Sequence, residues 1–528
     1  MTAAIAGVSP FLHACDNKPR SRGKIVGASS KFGHLLRDQK FAKSMAPPVQ
    51  HDVVIVGGGI SGLSAARWLH KNGITNFILL DLEPQMGGNA AFGQNTISPY
   101  PWGAHYITIP NNNLQEYVDF LVECNVITGY NEQALPMIND YYLCQDPQER
   151  LYINGQWQDG LLPQFGVPQK DRDEIHRFMQ MMDMYRKATG TDGRDAFAIP
   201  VDHSSKEGQF TILDTITMKD WMLQQNFTSE YLRWYVNYCT RDDFGTAFDV
   251  ISAWVGIHYF AGRKGRAGNA ESHDVITWPE GNGWLSEQLQ APVKEHLKTN
   301  AMAVSVVAGA ENVLVEYLDT TTQQLHSISA KQCILATPQF VNNRLLQATM
   351  TERAALVKEK LHYAPWMVAN LSVKNLKERS GMPLSWDNVL YNSPSLGYVK
   401  ANQQQVNQDN GQHNLTYYLP LTDETPASAR KHIHLLTHSD WVARVFKELE
   451  AVHPNIDAAT QSIDIMLWGH AMPQPLPNLV HGNTRQQLQQ SVGSNIHFAH
   501  SDLAGISIFE EAFYQGIAAA KKVMGQIL

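Results

Sequence analysis

The chain has 528 residues, 43% of them hydrophobic and 17% charged, so it is long enough to bury a large core in about two to four globular domains. The formal net charge is −8, and no basic stripe beyond the N-terminal tail would neutralise a run of phosphates, which argues against a nucleic-acid partner. The cysteines Cys15, Cys124, Cys144, Cys239 and Cys333 are scattered without CxxC spacing, so neither a disulfide framework nor a metal site is predicted.

The N-terminal fifteen residues resemble the end of a bacterial export signal. Residues 3–14 are small and apolar, and Leu12-His13-Ala14-Cys15 is similar to a lipoprotein cleavage box. The resemblance predicts a lipid anchor at Cys15 and a periplasmic or membrane-anchored protein, although the basic region expected of such a signal is missing. The alternative is a disordered tail on a cytoplasmic protein. After this segment, no run of about 18 apolar residues predicts a membrane-spanning helix.

Residues 16–50 are predicted to form a linker. They carry mostly basic charges, show no sustained apolar periodicity and end near Pro47-Pro48.

A nucleotide-binding βαβ unit is predicted to begin near His51. Val53-Val54-Ile55-Val56 is an apolar run of strand length, as in a parallel strand that is covered on both faces. Gly57-Gly58-Gly59-Ile60-Ser61-Gly62 follows at once, and then a predicted helix over 63–71 and a second strand over 77–80 that ends in Asp81. The spacing is that of a dinucleotide-binding unit.

Each glycine of this loop has a mechanical purpose. Gly57 permits a tight turn, Gly59 lets the backbone approach a pyrophosphate, and Gly62 permits close packing of helix and strand. The helix N-terminus offers free N–H groups and a positive dipole end to the phosphates, and Asp81 can accept the ribose hydroxyls. The predicted cofactor contacts in this unit are Gly57, Gly59, Ile60, Ser61, Gly62, Asp81 and Leu82.

Paired glycines decide which dinucleotide is expected. Gly87-Gly88-Asn89 follows Asp81 by six residues, and here the sequence resembles the flavin amine oxidase and phytoene desaturase superfamily. In that family this second loop passes beside FAD, which implies cofactor contacts from Gly87, Gly88 and Asn89, although Asn89 stands where an arginine is common. The resemblance implies an α/β fold, with a Rossmann-type FAD-binding domain and an inserted α+β substrate domain.

The resemblance continues in separate blocks, as expected if insertions interrupt one FAD-binding domain. Trp102-Gly103-Ala104-His105-Tyr106 looks like the family segment that runs past the flavin ring, which implies contacts from Gly103, Ala104 and His105. Residues 278–285 are similar to the family's glycine-rich turn before a helix. Val304 stands where a valine reads the adenine edge, and residues 334–338 look like the strand that returns from there.

The end of the chain carries the last block of the resemblance. Residues 496–499 are strand-like, Asp502 follows, and residues 508–523 predict a helix. In related proteins an acid at the place of Asp502 holds the ribityl chain or pyrophosphate. The helix after it, beginning at Ile508, directs its N-terminus at the flavin, where its dipole favours the negative charge of the reduced ring. No cysteine near the C-terminus matches a covalent attachment site, so noncovalent FAD is expected.

The blocks divide the chain into a tail and two domains. After residues 1–50, the FAD-binding domain comprises 51–109, 271–344 and 486–528, and the substrate domain comprises 110–270 and 345–485. Apolar spacing predicts helices in the first substrate interval, over 114–124, 171–189, 217–225 and 229–238. Alternation over 366–373 and 415–419 predicts strands of a sheet that roofs the flavin.

Two histidines in aromatic, glycine-containing turns, His105 and His470, are the candidate catalytic residues. A neutral imidazole can accept the proton that leaves an amine or alcohol while hydride goes to the flavin N5. The alternative for either histidine is a structural hydrogen bond.

Two other clusters leave a functional and a structural interpretation open. Arg241-Asp242-Asp243 can direct carboxylates toward a cationic substrate, or cap a helix and pair with the neighbouring arginine. Trp254, His258 and Tyr259 recur at helical spacing and either line a pocket or pack in the core.

The predicted activity is hydride transfer from a small organic substrate, first of all an amine, to FAD. Many amine oxidases have a lysine in the strand after the adenine region, whereas residues 363–370 contain none, so oxygen and another electron acceptor both remain open. The alternatives are a desaturase or dehydrogenase of an apolar substrate, a noncatalytic flavin-binding protein and, last, an NAD-only dehydrogenase. No oligomeric state is predicted.

Overall fold

The computed structural model describes residues 23–27, 29–38, 41, 46–346, 351–405 and 410–527. The proposed export signal and Cys15 lie outside these residues. Within the described part of the chain, no helix is long and apolar enough to cross a membrane, and no group of three or more His, Cys, Asp or Glu side chains is arranged to hold a metal ion.

Strands and helices alternate along the chain. The strands are β1 (Ile25–Gly27), β2 (Val49–Val56), β3 (Phe77–Leu80), β4 (Phe92–Gln94), β5 (Pro99–Pro101), β6 (Tyr106–Thr108), β7 (Ile127–Tyr130), β8 (Pro136–Ile138), β9 (Glu149–Ile153), β10 (Gln156–Asp159), β11 (Val275–Thr277), β12 (Leu297–Lys298), β13 (Ala301–Ala308), β14 (Val313–Asp319), β15 (Gln324–Leu335), β16 (Tyr363–Lys374), β17 (Asp387–Leu390), β18 (Tyr398–Lys400), β19 (Gln412–Pro420), β20 (Thr460–Pro473) and β21 (Ile496–Phe498). The helices are α1 (Ser30–Asp38), α2 (Ile60–Lys71), α3 (Gln115–Glu123), α4 (Gln169–Lys187), α5 (Gly208–Thr211), α6 (Met218–Gln224), α7 (Glu230–Phe244), α8 (Ala253–Ala261), α9 (Gly283–Gln290), α10 (Gln339–Leu345), α11 (Thr351–Lys360), α12 (Pro426–Ile433), α13 (His438–Leu449), α14 (Ile456–Ala459), α15 (Thr484–Leu488) and α16 (Phe509–Ile527).

The first sheet has seven strands in the order β12-β3-β2-β15-β14-β13, with β21 also paired to β15. Strands β12, β3, β2, β15 and β21 are parallel, and β13 and β14 complete the sheet as antiparallel strands. Successive side chains of β2 point to opposite faces. Val53 and Ile55 pack on α2 and α16, whereas Val54 and Val56 pack on the layer that contains α10 and α11. This two-sided burial explains the unbroken apolar run.

The second sheet has eight strands in the order β1-β20-β16-β19-β18-β17-β9-β10. Its long central strands β20, β16 and β19 are antiparallel. Met367 and Ala369 of β16 pack against the face covered by α13, whereas Trp366 and Val368 point to the opposite face, toward the α4–α8 region. The alternation therefore presents two apolar side chains of β16 to the space between the second sheet and the rest of the molecule.

The helices that were predicted from apolar spacing are present with small differences at their ends. Thr217 and Ser229 cap α6 and α7 by accepting the backbone N–H of the residue three positions later. Helix α7 continues to Phe244, beyond the predicted end at 238, and stops at Gly245, whose φ of 57° is left-handed. Asp242 and Asp243 consequently lie in the last turn of a helix.

The interpretation of residues 16–50 as a linker is wrong for part of this segment. Residues 25–27 form β1, which pairs in parallel with Ile465–Leu467 of β20, and residues 30–38 form α1. Strand β2 also begins earlier than predicted, at Val49. The apolar side chains of α1 pack on the edge of the first sheet, and this long-range contact supports the short helix.

Candidate active site

The glycine loop between β2 and α2 forms a cradle with one open position. Gly57 has a φ of 107°, and a Cβ atom there would lie 2.8 Å from the carbonyl of Ala336. A Cβ atom at Gly62 would lie 1.9 Å from the Gly57 oxygen, whereas one at Gly59 would have no heavy atom within 4 Å. Gly57 and Gly62 are therefore required for packing, and Gly59 borders free space at the N-terminus of α2, where N–H groups can bind phosphate.

Asp81 and the second glycine loop lie against this cradle. The Asp81 carboxylate accepts the N–H of Gly58 at 2.5 Å and that of Glu83 at 2.7 Å. Burial raises the Asp81 pKa to about 6. The Gly87 N–H donates to the Gly58 carbonyl at 2.8 Å, so the predicted contacts 57–62, 81 and 87–88 come together in space.

A cavity lies beneath the second sheet, beside Asn89 of the second glycine loop. One wall is the segment 103–108, another is the start of α16 at Ser507–Glu510, and the roof is the second sheet with Trp366, Val368 and Tyr418. Five of the predicted contacts line this space: Asn89, Gly103, Ala104, His105 and Ile508.

Hydrogen bonds hold the roof against the segment below it. The Trp468 Nε1 donates to the Trp102 carbonyl at 2.7 Å, and the Tyr418 hydroxyl donates to the Gly103 carbonyl at 3.0 Å. The Asn89 side-chain amide donates to the Ala471 carbonyl at 2.5 Å. These bonds join the second sheet to residues 89–103 beneath it.

Two adjacent acidic residues of α7 line the cavity, and they differ in whether a basic side chain lies beside them. Arg263 lies 2.5 Å from Asp243, whereas no basic side chain of the described residues is in ion-pair distance of Asp242. The Tyr106 hydroxyl is 3.3 Å from both carboxylates. Burial, and secondly the neighbouring Asp243, raise the pKa of Asp242 to about 7, against the opposing effect of Arg263.

The alternative in which Arg241 pairs with these acids is wrong. Its guanidinium donates instead to the Thr422 hydroxyl and the Pro394 carbonyl. Neither carboxylate makes an N-terminal cap, because both lie at the C-terminal end of α7.

Further acids surround Asp242. Asp387 accepts a hydrogen bond from the Tyr238 hydroxyl at 3.2 Å, and burial, then Asp242 and Glu149, raise its pKa well above the ordinary value. Glu510 lines the cavity, and burial raises its pKa as well. Arg263 is the single arginine or lysine among the described residues that line the cavity, so this acidic region favours a positively charged ligand.

Residues 60–524 match the family described as flavin containing amine oxidoreductase. The chain belongs to this family. This family membership agrees with the flavin-dependent oxidoreductase that the sequence predicted.

Solved structures share its fold, which confirms the predicted Rossmann-type FAD-binding domain with a substrate domain. Cyclohexylamine oxidase from Brevibacterium oxydans IH-35A superposes with a TM-score of 0.64 at 14% identity, over 91% of this chain and 100% of that one. A double mutant of putrescine oxidase gives 0.63 at 15% identity over the same shares. A CLA-producing fatty acid isomerase from P. acnes gives 0.62 at 13% identity, over 89% of this chain and 98% of that one.

Two curated proteins match over shorter regions. Oxidoreductase PigB of Serratia sp. (strain ATCC 39006) is 24% identical over 295 residues, which cover 53% of this chain and 41% of PigB. Baeyer-Villiger monooxygenase ATR8 of Stachybotrys chlorohalonatus (strain IBT 40285) is 45% identical over 62 residues, which cover 11% of this chain and 10% of ATR8. The chain thus spans less than half the length of both relatives.

The residues of the cradle fit the flavin dinucleotide of this family. The free space at Gly59 can take the pyrophosphate, and Asp81 stands where βαβ units bind the adenosine ribose. The cavity at the start of α16 can take the flavin ring. Leu82 and Val304 do not line the cavity; they pack with Met302 and Leu318 at the edge of the first sheet.

The two candidate catalytic histidines occupy different places. His105 lines the cavity, its ring stacks 4.6 Å from that of Tyr418, and burial lowers its pKa to about 4. His470 is exposed, outside the cavity lining, with its ring 4.5 Å from that of Phe340. The strand β20 bulges here, since Trp468 and Met472 pair with Trp366 and Ala364, only two residues apart, and this bulge turns His470 away.

Asp502 has protein partners that the sequence did not predict. It is fully buried and accepts hydrogen bonds from the Gln339 N–H at 2.9 Å and the Tyr363 hydroxyl at 2.6 Å. Its other oxygen lies 2.9 Å from His500 Nδ1. These contacts occupy the carboxylate at the start of α10, whereas the resemblance assigned it to the ribityl chain or pyrophosphate.

Core packing, the structural alternative for the 254–259 cluster, agrees with the structure. Trp254 and His258 are buried, and the His258 Nε2 lies 2.9 Å from the Ala198 carbonyl. Tyr259 packs 4.7 Å from the Arg263 guanidinium. None of the three lines the cavity.

Sequence reasoning placed residues 366–373 in the sheet above the flavin but named none of their side chains, nor Arg263, as site residues. Trp366 and Val368 carried a detectable signal, because their period-two spacing on β16 puts them on one face. Arg263 carried none, since only the packing of α7 against neighbouring elements brings it near Asp242 and Asp243.

Proposed function

We propose that this flavoenzyme oxidises an amine, with transfer of a hydride from the carbon next to nitrogen to the flavin N5. The observation that carries the proposal is the carboxyl of Asp242, which borders the cavity, has no basic partner among the described residues, and has a pKa raised to about 7. A buried carboxylate without a counter-ion is costly, and a substrate ammonium would offset that cost.

Asp242 also suits the proton chemistry of amine oxidation. An amine arrives mostly as an ammonium ion, and it must lose a proton from nitrogen before a hydride can leave the adjacent carbon. A base works best when its pKa is near the working pH, which favours Asp242 over His105 with its pKa of about 4. The neighbouring Asp243 is already ion-paired with Arg263.

The overall reaction balances without a metal. The nitrogen loses a proton to Asp242, the adjacent carbon loses a hydride, and the resulting imine is hydrolysed by water to a carbonyl compound and an amine or ammonia. Bound FAD supplies the two-electron acceptor. Dioxygen or another electron acceptor must then take up those electrons.

The remaining cavity residues would bind the carbon skeleton of the substrate. Trp366, Val368 and Met472 present apolar surface on the roof, and the Tyr418 and His105 rings stack beside them. Such walls exclude water and hold an alkyl or aryl group against the flavin. We also propose noncovalent FAD, because none of the four described cysteines lines the cavity.

An apolar substrate, as in a desaturase, is the second candidate. The aromatic and aliphatic roof favours it, and a solved structure of similar fold is named a fatty acid isomerase. The carboxyls of Asp242 and Glu510 oppose it, because a purely apolar ligand would offer these two buried acids no charge or hydrogen-bonding group.

Anaerobic mixing with substrates tests the proposal. A panel of primary, secondary and aromatic amines, together with alcohols and unsaturated fatty acids, is added to the FAD-loaded enzyme while the flavin absorbance is followed. We expect bleaching only with amines, and release of the matching carbonyl compound. Bleaching by fatty acids or alcohols but by no amine would contradict the proposal. Acid denaturation should release all of the FAD if the cofactor is noncovalent.

A further inference from the structure

The N-terminal segment, defined as residues 23–27 and 29–38, bridges the two sheets. Strand β1 extends the second sheet beside β20, and the Lys24 N–H donates to the Asp464 carboxylate at 2.9 Å. Helix α1 then lies on the edge of the first sheet. A segment that precedes the βαβ unit therefore contacts both halves of the molecule.

Helix α1 rests on residues next to the ribose-facing carboxylate. Its side chains Phe32, Leu35 and Leu36 pack on a cluster that contains Leu82 and Val304. Leu82 is the residue directly after Asp81, at the carboxyl end of β3, where βαβ units hold the adenosine ribose.

A hydrogen-bonded pair fixes the helix at this position. The Ser29 N–H and hydroxyl donate to the two Glu83 carboxylate oxygens at 2.7 and 2.8 Å. The Glu83 N–H donates in turn to the Asp81 carboxylate at 2.7 Å. The start of α1 and the ribose-facing acid are thus joined through one intervening residue, and both Ser29 and Glu83 are half-buried.

We infer that the N-terminal segment forms the outer wall of the adenosine part of the FAD site and slows FAD release. The contacts of Ser29 with Glu83, and of the α1 side chains with Leu82 and Val304, carry this inference. It rests on FAD binding by the βαβ unit and is independent of which substrate is oxidised. Release of FAD then requires the segment to undock, which adds a barrier without changing the contacts to the flavin ring.

Variants of α1 test the wall directly. Ser29→Ala removes the hydrogen bond from the Ser29 hydroxyl to Glu83, and Phe32→Ala removes an apolar side chain that packs on the first sheet. Lys31→Ala alters an exposed residue of the same helix and serves as the control. We expect the two wall variants to release FAD at least about fivefold faster, measured by the recovery of free-FAD fluorescence after dilution. FMN, which lacks adenosine, should bind equally well to all variants. Unchanged FAD release, or an equal loss of FMN binding, would overturn the inference.

Hydrogen exchange on the unmodified chain provides an independent test that needs no variant. Addition of FAD to the apoprotein should slow amide exchange in residues 25–27 and 30–38 as well as in the glycine loop. FMN should protect neither α1 nor β1. If FAD protects the glycine loop and leaves residues 25–38 unchanged, the segment is not part of the site. If FAD protects nothing and the protein stays colourless, the cofactor assignment itself fails, which is a distinguishable result.

Discussion

At the residue scale, the most informative pair is Asp242 and Asp243. They are adjacent in sequence and share the Tyr106 hydroxyl, yet only Asp243 has a guanidinium partner. The different surroundings distinguish two neighbouring carboxyls: Asp243 forms an ion pair with Arg263, whereas burial and the neighbouring Asp243 raise the pKa of Asp242.

Asp242→Asn should lower kcat/KM for amines by about 10²-fold or more, because the amide cannot accept a proton. In the unmodified enzyme, activity should rise with pH through about 7, since Asp242 is protonated below that value and ionised above it. The charged groups that interact with Asp242, and so influence its pKa, are Asp243, Arg263 and Asp387. The pH profile of anaerobic flavin reduction measures this rise in activity. The control is Asp249→Asn, at an exposed residue. If activity still rises with pH through about 7 in Asp242→Asn, Asp242 is not the proton acceptor.

Glu511, in the first turn of α16, provides a prediction about stability. It is buried, accepts the Val201 N–H at 2.6 Å and has a pKa raised by burial from 4.5 to about 8. Its contribution to stability is fully present below pH 4.5 and is lost as the pH rises through about 8. Glu511→Gln should therefore raise the melting temperature more at pH 8 than at pH 5. Equal shifts at both pH values would show that the carboxyl is not protonated on folding.

At the element scale, the contact between α2 and α16 positions both helices at the cofactor. A Cβ atom at Gly516 would lie 2.1 Å from the Ser61 oxygen, so the two helices approach as closely as a glycine permits. This approach places the N-terminus of α16 at the cavity while its middle packs on the helix that follows the glycine loop.

Gly516→Ala should separate the helices, destabilise the fold by about 1–3 kcal/mol and weaken FAD binding. Gly525→Ala, near the end of the same helix, is the matched control, because a Cβ atom there has no neighbour within 4 Å. The control should be neutral or slightly stabilising, since alanine favours the helix over glycine. Chemical unfolding and FAD titration measure both variants. Equal behaviour of the two would disprove the proposed importance of the close approach.

Local pattern was sufficient for most elements and insufficient for some ends. The spacing of apolar residues predicted α3, α4, α6, α7 and α16, because the residues on the buried face of an amphipathic helix recur every three or four positions. The end of α7 was predicted too early, since only the left-handed Gly245 stops it. Strand β1 has three residues, and its position depends on the edge of β20 rather than on its own pattern.

At the scale of the whole molecule, the cavity exists because the roof sheet is bonded to the segment beneath it. Trp468→Phe keeps an aromatic ring and removes the donor to the Trp102 carbonyl. A buried carbonyl without its partner costs about 1–3 kcal/mol, so amides of residues 101–108 should exchange faster with solvent. Trp234→Phe, a half-buried tryptophan on α7, is the comparison. Unchanged exchange in Trp468→Phe would mean that other contacts hold the roof.

The sequence by itself determined the cofactor cradle, because its parts are close along the chain. Strand, glycine loop, helix and acid all lie within residues 49–81, and backbone geometry restricts what such a succession can form. The helices and the central strands followed from their periodicities for the same local reason.

Only the tertiary structure decided the substrate end of the site. The bond between Trp468 and Trp102 joins residues 366 positions apart, and the one between Tyr418 and Gly103 joins residues 315 positions apart. Periodicity tells which face of an element is buried, but not which distant element covers it. For that reason the sequence placed His470 at the flavin and left Asp242 undecided, whereas the bulge in β20 and the packing of α7 put Asp242 in the cavity and His470 outside it.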